Sequence, residues 1–324
     1  MRTDAQQPAT PAPAAGPGHG AGGTRAVLAA LGANLGIAVT KFVAFALTRS
    51  SSMLAEAIHS VVDSGNQALL LRGGRRSQRD PTPKHPFGYG RERYIYAFIV
   101  SVMLFFAGGV FALYESVHKI THPTPITSWQ WVPITVLVVA IGLESLSFRT
   151  AIVEANEVRA DVSWKQFIRR ARAPELPVIL LEDFAALVGL VLALAGVGLT
   201  ILTGNGVWDG LGTAAIGLLL VVVAVVLAVE MKSLLVGESA TADQLASIRR
   251  AIEAGDEAER IIHMRTVHLG PDELLVAAKI AVRHDDTAAT VARGIDAIEE
   301  RIRAAVPIAR VIYLEPDLDR AGVA

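Results

Sequence analysis

The run SMLAEAIHSVVDSGNQALLL, residues 52–71, reads as a membrane-spanning helix, yet it carries Glu56, His59 and Asp63 in its middle. Each ionisable group at that depth costs at least about 2.5 kcal/mol. Glu56, His59, Asp63 and Asn66 follow one another at spacings of three, four and three residues, which gathers them within about 80° of one helix face. In lipid such a stripe must face a partner helix or a water-filled cavity. A His and an Asp at i and i+4 can place an imidazole nitrogen and a carboxylate oxygen on one cation. The plainer reading is a hydrogen-bond network between helices, but two acids and a histidine are costly for that purpose.

The rest of the chain has the composition of a polytopic membrane protein. Of 324 residues, 52% are hydrophobic and 19% charged, with a mean hydropathy of +0.43, too apolar for an ordinary soluble enzyme. There are no cysteines, which excludes disulfides, thiolate metal sites and Cys nucleophiles. The net charge of −1 and the absence of a basic run with interleaved aromatics argue against a nucleic-acid partner. Residues 1–24 are rich in Pro, Ala and Gly and are expected to form a disordered tail.

Six apolar stretches are each long enough for a bilayer of about 30 Å: Ala26–Leu47, Met53–Leu71, Tyr94–Val117, Trp131–Val153, Val178–Leu202 and Leu211–Val229. Among the links between these stretches, those after the second and fourth hold most of the arginines and lysines, so the positive-inside rule places both links, and both termini, in the cytoplasm. Trp129 and Trp131 suit an interfacial belt on the opposite side. The expected fold is a six-helix transmembrane domain over residues 25–237, followed by a cytoplasmic α+β domain over 238–319. The latter reads in the order αββαβ, a ferredoxin-like pattern: helices over 242–254 and 288–304, and strands IIHMRTVHL, ELLVAAKIAVR and ARVIYLE, the first two joined by a Gly270–Pro271 turn.

The His59–Asp63 pair leaves a zinc ion, which prefers four ligands, two donors short. The fifth stretch supplies Glu182 and Asp183. Neighbouring residues diverge by about 100° on a helix, so one of the two can point squarely at the second stretch; Asp183 is the first choice and Glu182 the second. Glu144 in the fourth stretch is either an acid on a proton pathway or the partner of Lys41 in the first, and Lys41 also lies close enough to its helix end to snorkel.

The run SSSMLAEAIHSVVDSGNQ, the loop HPFGYGRER before the third stretch, and the tail ending VIYLEP resemble the cation diffusion facilitator family, in its branch of zinc transporter nine type. The resemblance covers nearly the whole chain after residue 24. It implies a homodimeric antiporter that exports a divalent cation from the cytoplasm in exchange for protons, in the plasma (inner) membrane, and no enzyme. The metal is cargo: zinc first, with manganese, iron and cobalt open, and no permanently bound cofactor is expected. His59 and Asp63 match the family's polar-x-x-x-Asp pair in the second span. The fifth span departs from its counterpart, because the residues four before Asp183 and Glu182 are Ile179 and Val178; Glu182 and Asp183 together, or Asn66 or water, would complete the shell. Glu56 and Glu144 are candidates for the proton pathway.

Two further sites of the family are reduced. The loop after the second span offers Thr82, His85 and Tyr89, one ligand of three, and the soluble domain offers Ile262, Lys279 and Tyr313 with Glu315. An intramembrane metalloenzyme would want a His-Glu-x-x-His pair, which no stretch contains. A metal-binding membrane protein that does not transport is the remaining alternative; it would bind metal without metal-driven proton flux.

Overall fold

The computed structural model describes residues 21–127, 129–159 and 162–318, so all but the end of the expected tail lies outside the described residues. Helix α1 (Ala21–Thr48) starts ahead of the expected first span and turns directly into α2 (Ser51–Ser77). The Ser50 hydroxyl caps α2 by accepting the Met53 N–H at 3.3 Å. Next come α3 (Glu92–Met103), a π-helical segment (Leu104–Val110) and α4 (Phe111–Thr121), which form one continuous rod, followed by α5 (Trp131–Arg159).

A short helix, α6 (Trp164–Arg170), then precedes α7 (Glu175–Thr203) and α8 (Val207–Val236). Among the described residues, four helices are long and apolar enough to cross a membrane: Glu92–Thr121, Trp131–Arg159, Glu175–Thr203 and Val207–Val236. Helix α2 is long but too polar for that description, for the reason its stripe already gives.

The helices share a core that includes Met53, Tyr94, Leu104, Leu190 and Leu220. Their outward faces carry exposed Phe106, Val138, Leu202 and Val222. In α6 a capping box joins Ser163 and Gln166, and Phe167 packs with Ala151, Ala155 and Leu180 between α5 and α7.

The chain after Gly237 forms α9 (Ala242–Glu253), β1 (Arg260–Gly270), β2 (Glu273–Ala281), α10 (Ala288–Ala305) and β3 (Ala309–Asp317). The order is the one read from the sequence, and the boundaries differ by a residue or two. The sheet runs β1-β2-β3, with β1 and β2 antiparallel and β2 and β3 parallel. Strand alternation puts Leu274, Val276, Ala278 and Ile280 on one face, against Ile248 and Ile252 of α9 and Ile298 and Ile302 of α10. Across the strands, Lys279 pairs with Glu315 and Asp317, each at 3.0 Å.

The β1–β2 turn docks on the ends of the long helices. Gly90 and Gly270 meet there backbone to backbone: a Cβ on Gly90 would lie 2.8 Å from the Leu269 carbonyl oxygen, so neither position has room for a side chain. Arg93, in the first turn of α3, ion-pairs with Glu175 in the first turn of α7 and donates to Asp272 in the β1–β2 turn at 2.8 Å. Arg172, just before α7, pairs with Glu238. His268 is buried with its backbone N–H donating to the Glu238 carbonyl at 2.9 Å, and this burial holds its ring below the usual histidine range.

Candidate metal site

Helix α2 lies against both α1 and α7, and its polar stripe lies in that junction. His59 is 1% exposed and neither of its ring nitrogens makes a hydrogen bond. Its Nδ1 lies 3.5 Å from Asp63 Oδ1, so the pair at i and i+4 is brought together as its spacing predicts. Buried polar atoms without partners are rare in folded proteins, and here they cluster: Glu56 Oε1, both His59 nitrogens, Asp63 Oδ1 and Asn66 Oδ1.

From α7, Glu182 enters the same junction. The Asn66 amide donates to Glu182 Oε1 at 2.7 Å, and the Asp63 and Glu182 carboxyls are within hydrogen-bonding reach of each other. Two carboxyls in such contact need a proton or a cation between them. Asp183, one residue on, is turned toward α5, where the Ser147 hydroxyl donates to its Oδ2 at 2.9 Å. The acid that meets the stripe is therefore Glu182, and the angle between successive residues sends Asp183 to a different helix. Among the described residues, no three His, Asp or Glu side chains are arranged to hold one metal ion; His59, Asp63 and Glu182 form a chain of pairwise contacts.

The two proton-pathway candidates are placed differently. Glu56 is fully buried and its Oε2 accepts from Lys41 Nζ at 3.0 Å. Lys41 thus neither snorkels nor binds Glu144: the carboxylate facing it across the α1–α2 turn is closer. Glu144, on α5 and half-buried, lies in the field of Asp183, Lys41, Glu56 and Glu182. In the loop after α2, Thr82 and Tyr89 share a hydroxyl contact at 3.2 Å and His85 packs on the Tyr89 ring at 4.8 Å, an internally tied loop.

A second buried polar group escaped sequence reading. Asp209, in the first turn of α8, is fully buried and accepts from the Ser50 hydroxyl at 2.8 Å, the Ser51 N–H at 2.7 Å and the Ser52 N–H at 3.2 Å. Lys119 of α4 lies 3.8 Å from it. The three serines before the stripe were the available signal, since a helix start needs acceptors for its free N–H groups. For α6, the signal was Ser163 three residues before Gln166.

The profile of the family described as the cation efflux transmembrane domain matches residues 27–236. The chain belongs to this cation efflux, or cation diffusion facilitator, family, and with four helices able to cross a membrane it is an integral membrane protein. Among curated proteins it is similar to the mitochondrial proton-coupled zinc antiporter SLC30A9 of Xenopus laevis, 36% identical over 246 residues, which is 74% of this chain and 43% of that protein. The human protein of the same name is 35% identical over 246 residues, 74% of this chain and 42% of that one. Metal tolerance protein C4 of Arabidopsis thaliana is 28% identical over 262 residues, 79% of this chain and 56% of that protein. The chain spans less than half the length of the two antiporters it matches.

Proposed function

We propose that the chain is a proton-coupled antiporter that exports a divalent cation, zinc first, from the cytoplasm. The observation that carries this reading is the buried run His59–Asp63–Glu182, continued by Asn66, at the junction of α2 and α7. In this reading α1, α2, the α3–α4 rod, α5, α7 and α8 are six spans with both ends in the cytoplasm, over residues 25–237. Residues 238–319 form a cytoplasmic domain of ferredoxin-like order, and two copies assemble as a homodimer in the plasma (inner) membrane. The names of the similar antiporters support the substrate and the counter-ion, and the basic links support the orientation.

The ligands are His59, Asp63, Glu182 and Asp183. A neutral imidazole and ionised carboxylates are needed to hold the ion, so loading releases protons and protons returning from the other side displace the ion. Asn66, donating to Glu182, keeps that carboxylate aimed at Asp63. Asp183 joins only by leaving Ser147, and Glu144 on the same side of α5 passes protons. One imidazole and several carboxylates make a harder donor set than a histidine-rich zinc site, which keeps manganese, iron and cobalt open.

The test is metal uptake and internal pH followed together in proteoliposomes, with the four metals offered in turn. Wild type is expected to move metal inward with protons flowing out. Glu182→Gln is expected to slow both fluxes by at least about tenfold, and Asp183→Asn by less, because Glu182 and not Asp183 meets the stripe. Metal binding with no metal-driven proton flux in wild type would replace the antiporter by a non-transporting metal-binding protein.

A further inference from the structure

Lys41 and Glu56 form a buried ion pair that the ligand set does not use. Lys41 is 3% exposed and Glu56 0%. Besides Glu56, the Lys41 ammonium donates to the Ser60 hydroxyl at 2.8 Å. Glu56 and Ser60 are one helical turn apart on α2, and His59 sits between them in the sequence. The ammonium thus bonds to side chains on either side of His59 along α2.

The pair also closes the junction sterically. Glu56 Oε1 lies against Gly189 of α7, where a Cβ would stand 2.8 Å from it. Helices α1, α2 and α7 therefore meet around this one carboxylate. Along α2 the order of groups is Asn66, Asp63, Ser60 held by Lys41, His59, Glu56 held by the same ammonium, and finally Ser50–Ser52 bound to Asp209. On the proposed topology the last of these is the outer end.

Taking two charges out of water costs more than packing neutral side chains of similar size, so stability is a poor reason for this pair. A fixed ammonium beside a cation site repels a second cation. We propose that Lys41 is a charge barrier beside the site: held by Glu56 and Ser60 on either side of His59, it opposes leakage of a cation along the stripe, and so ties metal movement to proton exchange. This rests on the transport reading above.

The experiment uses the full chain in proteoliposomes, first with equal zinc on both sides and an imposed pH gradient, reading steady-state zinc accumulation and protons moved per zinc, then with a zinc gradient and equal pH, reading downhill zinc flux. Four proteins are compared: wild type, Lys41→Arg, Lys41→Gln, and the double variant Lys41→Gln with Glu56→Gln. The double variant leaves no unpaired buried charge and carries the test if the single one does not fold.

Expected is that the neutral variants still move zinc down its own gradient but accumulate it at least tenfold less, with fewer protons per zinc, while Lys41→Arg retains accumulation. Wild-type accumulation in a neutral variant overturns the proposal. So does complete loss of downhill zinc flux in a monodisperse double variant, which would make the pair part of transport itself. A wild type that moves no zinc under any gradient overturns the transport reading, and this proposal with it; the wild-type arm alone separates the two failures.

Discussion

Asp63→Ala is expected to abolish zinc-driven proton movement while leaving the protein folded. Asp63 is the one side chain in contact with both His59, at 3.5 Å, and Glu182, so its removal separates the α2 ligand from the α7 ligand. Loss of a supporting group around a metal site costs about 10–100-fold, and loss of the group that joins two ligands should exceed that. The change leaves no charge stranded, because the Asn66 amide still holds Glu182 at 2.7 Å. The measurement is the initial rate of internal pH change after a zinc jump, paired with zinc affinity in detergent. Unchanged rate and affinity would remove the α2 stripe from the transport site.

Asp209→Ala is expected to act on folding instead. Its carboxylate accepts the first N–H groups of α2 and the Ser50 hydroxyl, and it is the acid beside Lys119, which is itself 5% exposed. Alanine leaves a buried ammonium without its counter-charge, a loss of about 3–5 kcal/mol, and uncaps α2 as well. Lys119 keeps its bonds to the Arg49 carbonyl at 3.1 Å and the Thr124 hydroxyl at 2.7 Å, which places the effect toward the lower end. A thermal-unfolding midpoint in detergent should fall clearly for Asp209→Ala and less for Asp209→Asn, which keeps one acceptor oxygen. Equal midpoints for wild type and alanine would show that the cluster holds nothing together.

Much of the architecture was legible because its signals are periodic. The stripe at three- and four-residue spacing and the alternating strands after Gly237 each follow from one repeat distance, and the long apolar stretches fall in helices, four of which are long and apolar enough to cross a membrane among the described residues. What was not legible depends on which neighbour a side chain meets. The adjacent acids Glu182 and Asp183 are chemically similar, and only the positions of α2 and α5 around α7 send one to Asn66 and the other to Ser147. For Lys41 the sequence pointed to Glu144 as a partner, or to snorkelling, and not to Glu56. The direct α1-to-α2 turn settles it by placing Glu56 closer. Asp209 was missed for the same reason: Ser50–Ser52 signalled that a helix start needed acceptors, but the acceptor itself lies more than 150 residues later.

The guanidinium of Arg93 is shared by the first turn of α3, by Glu175 and by Asp272. Glu175 lies seven residues before Glu182 on α7, two turns of a stiff rod of about 10 Å. The hairpin formed by β1 and β2 is therefore tied to the helix that carries Glu182 through one guanidinium on α3, a link separate from the chain connection at Gly237.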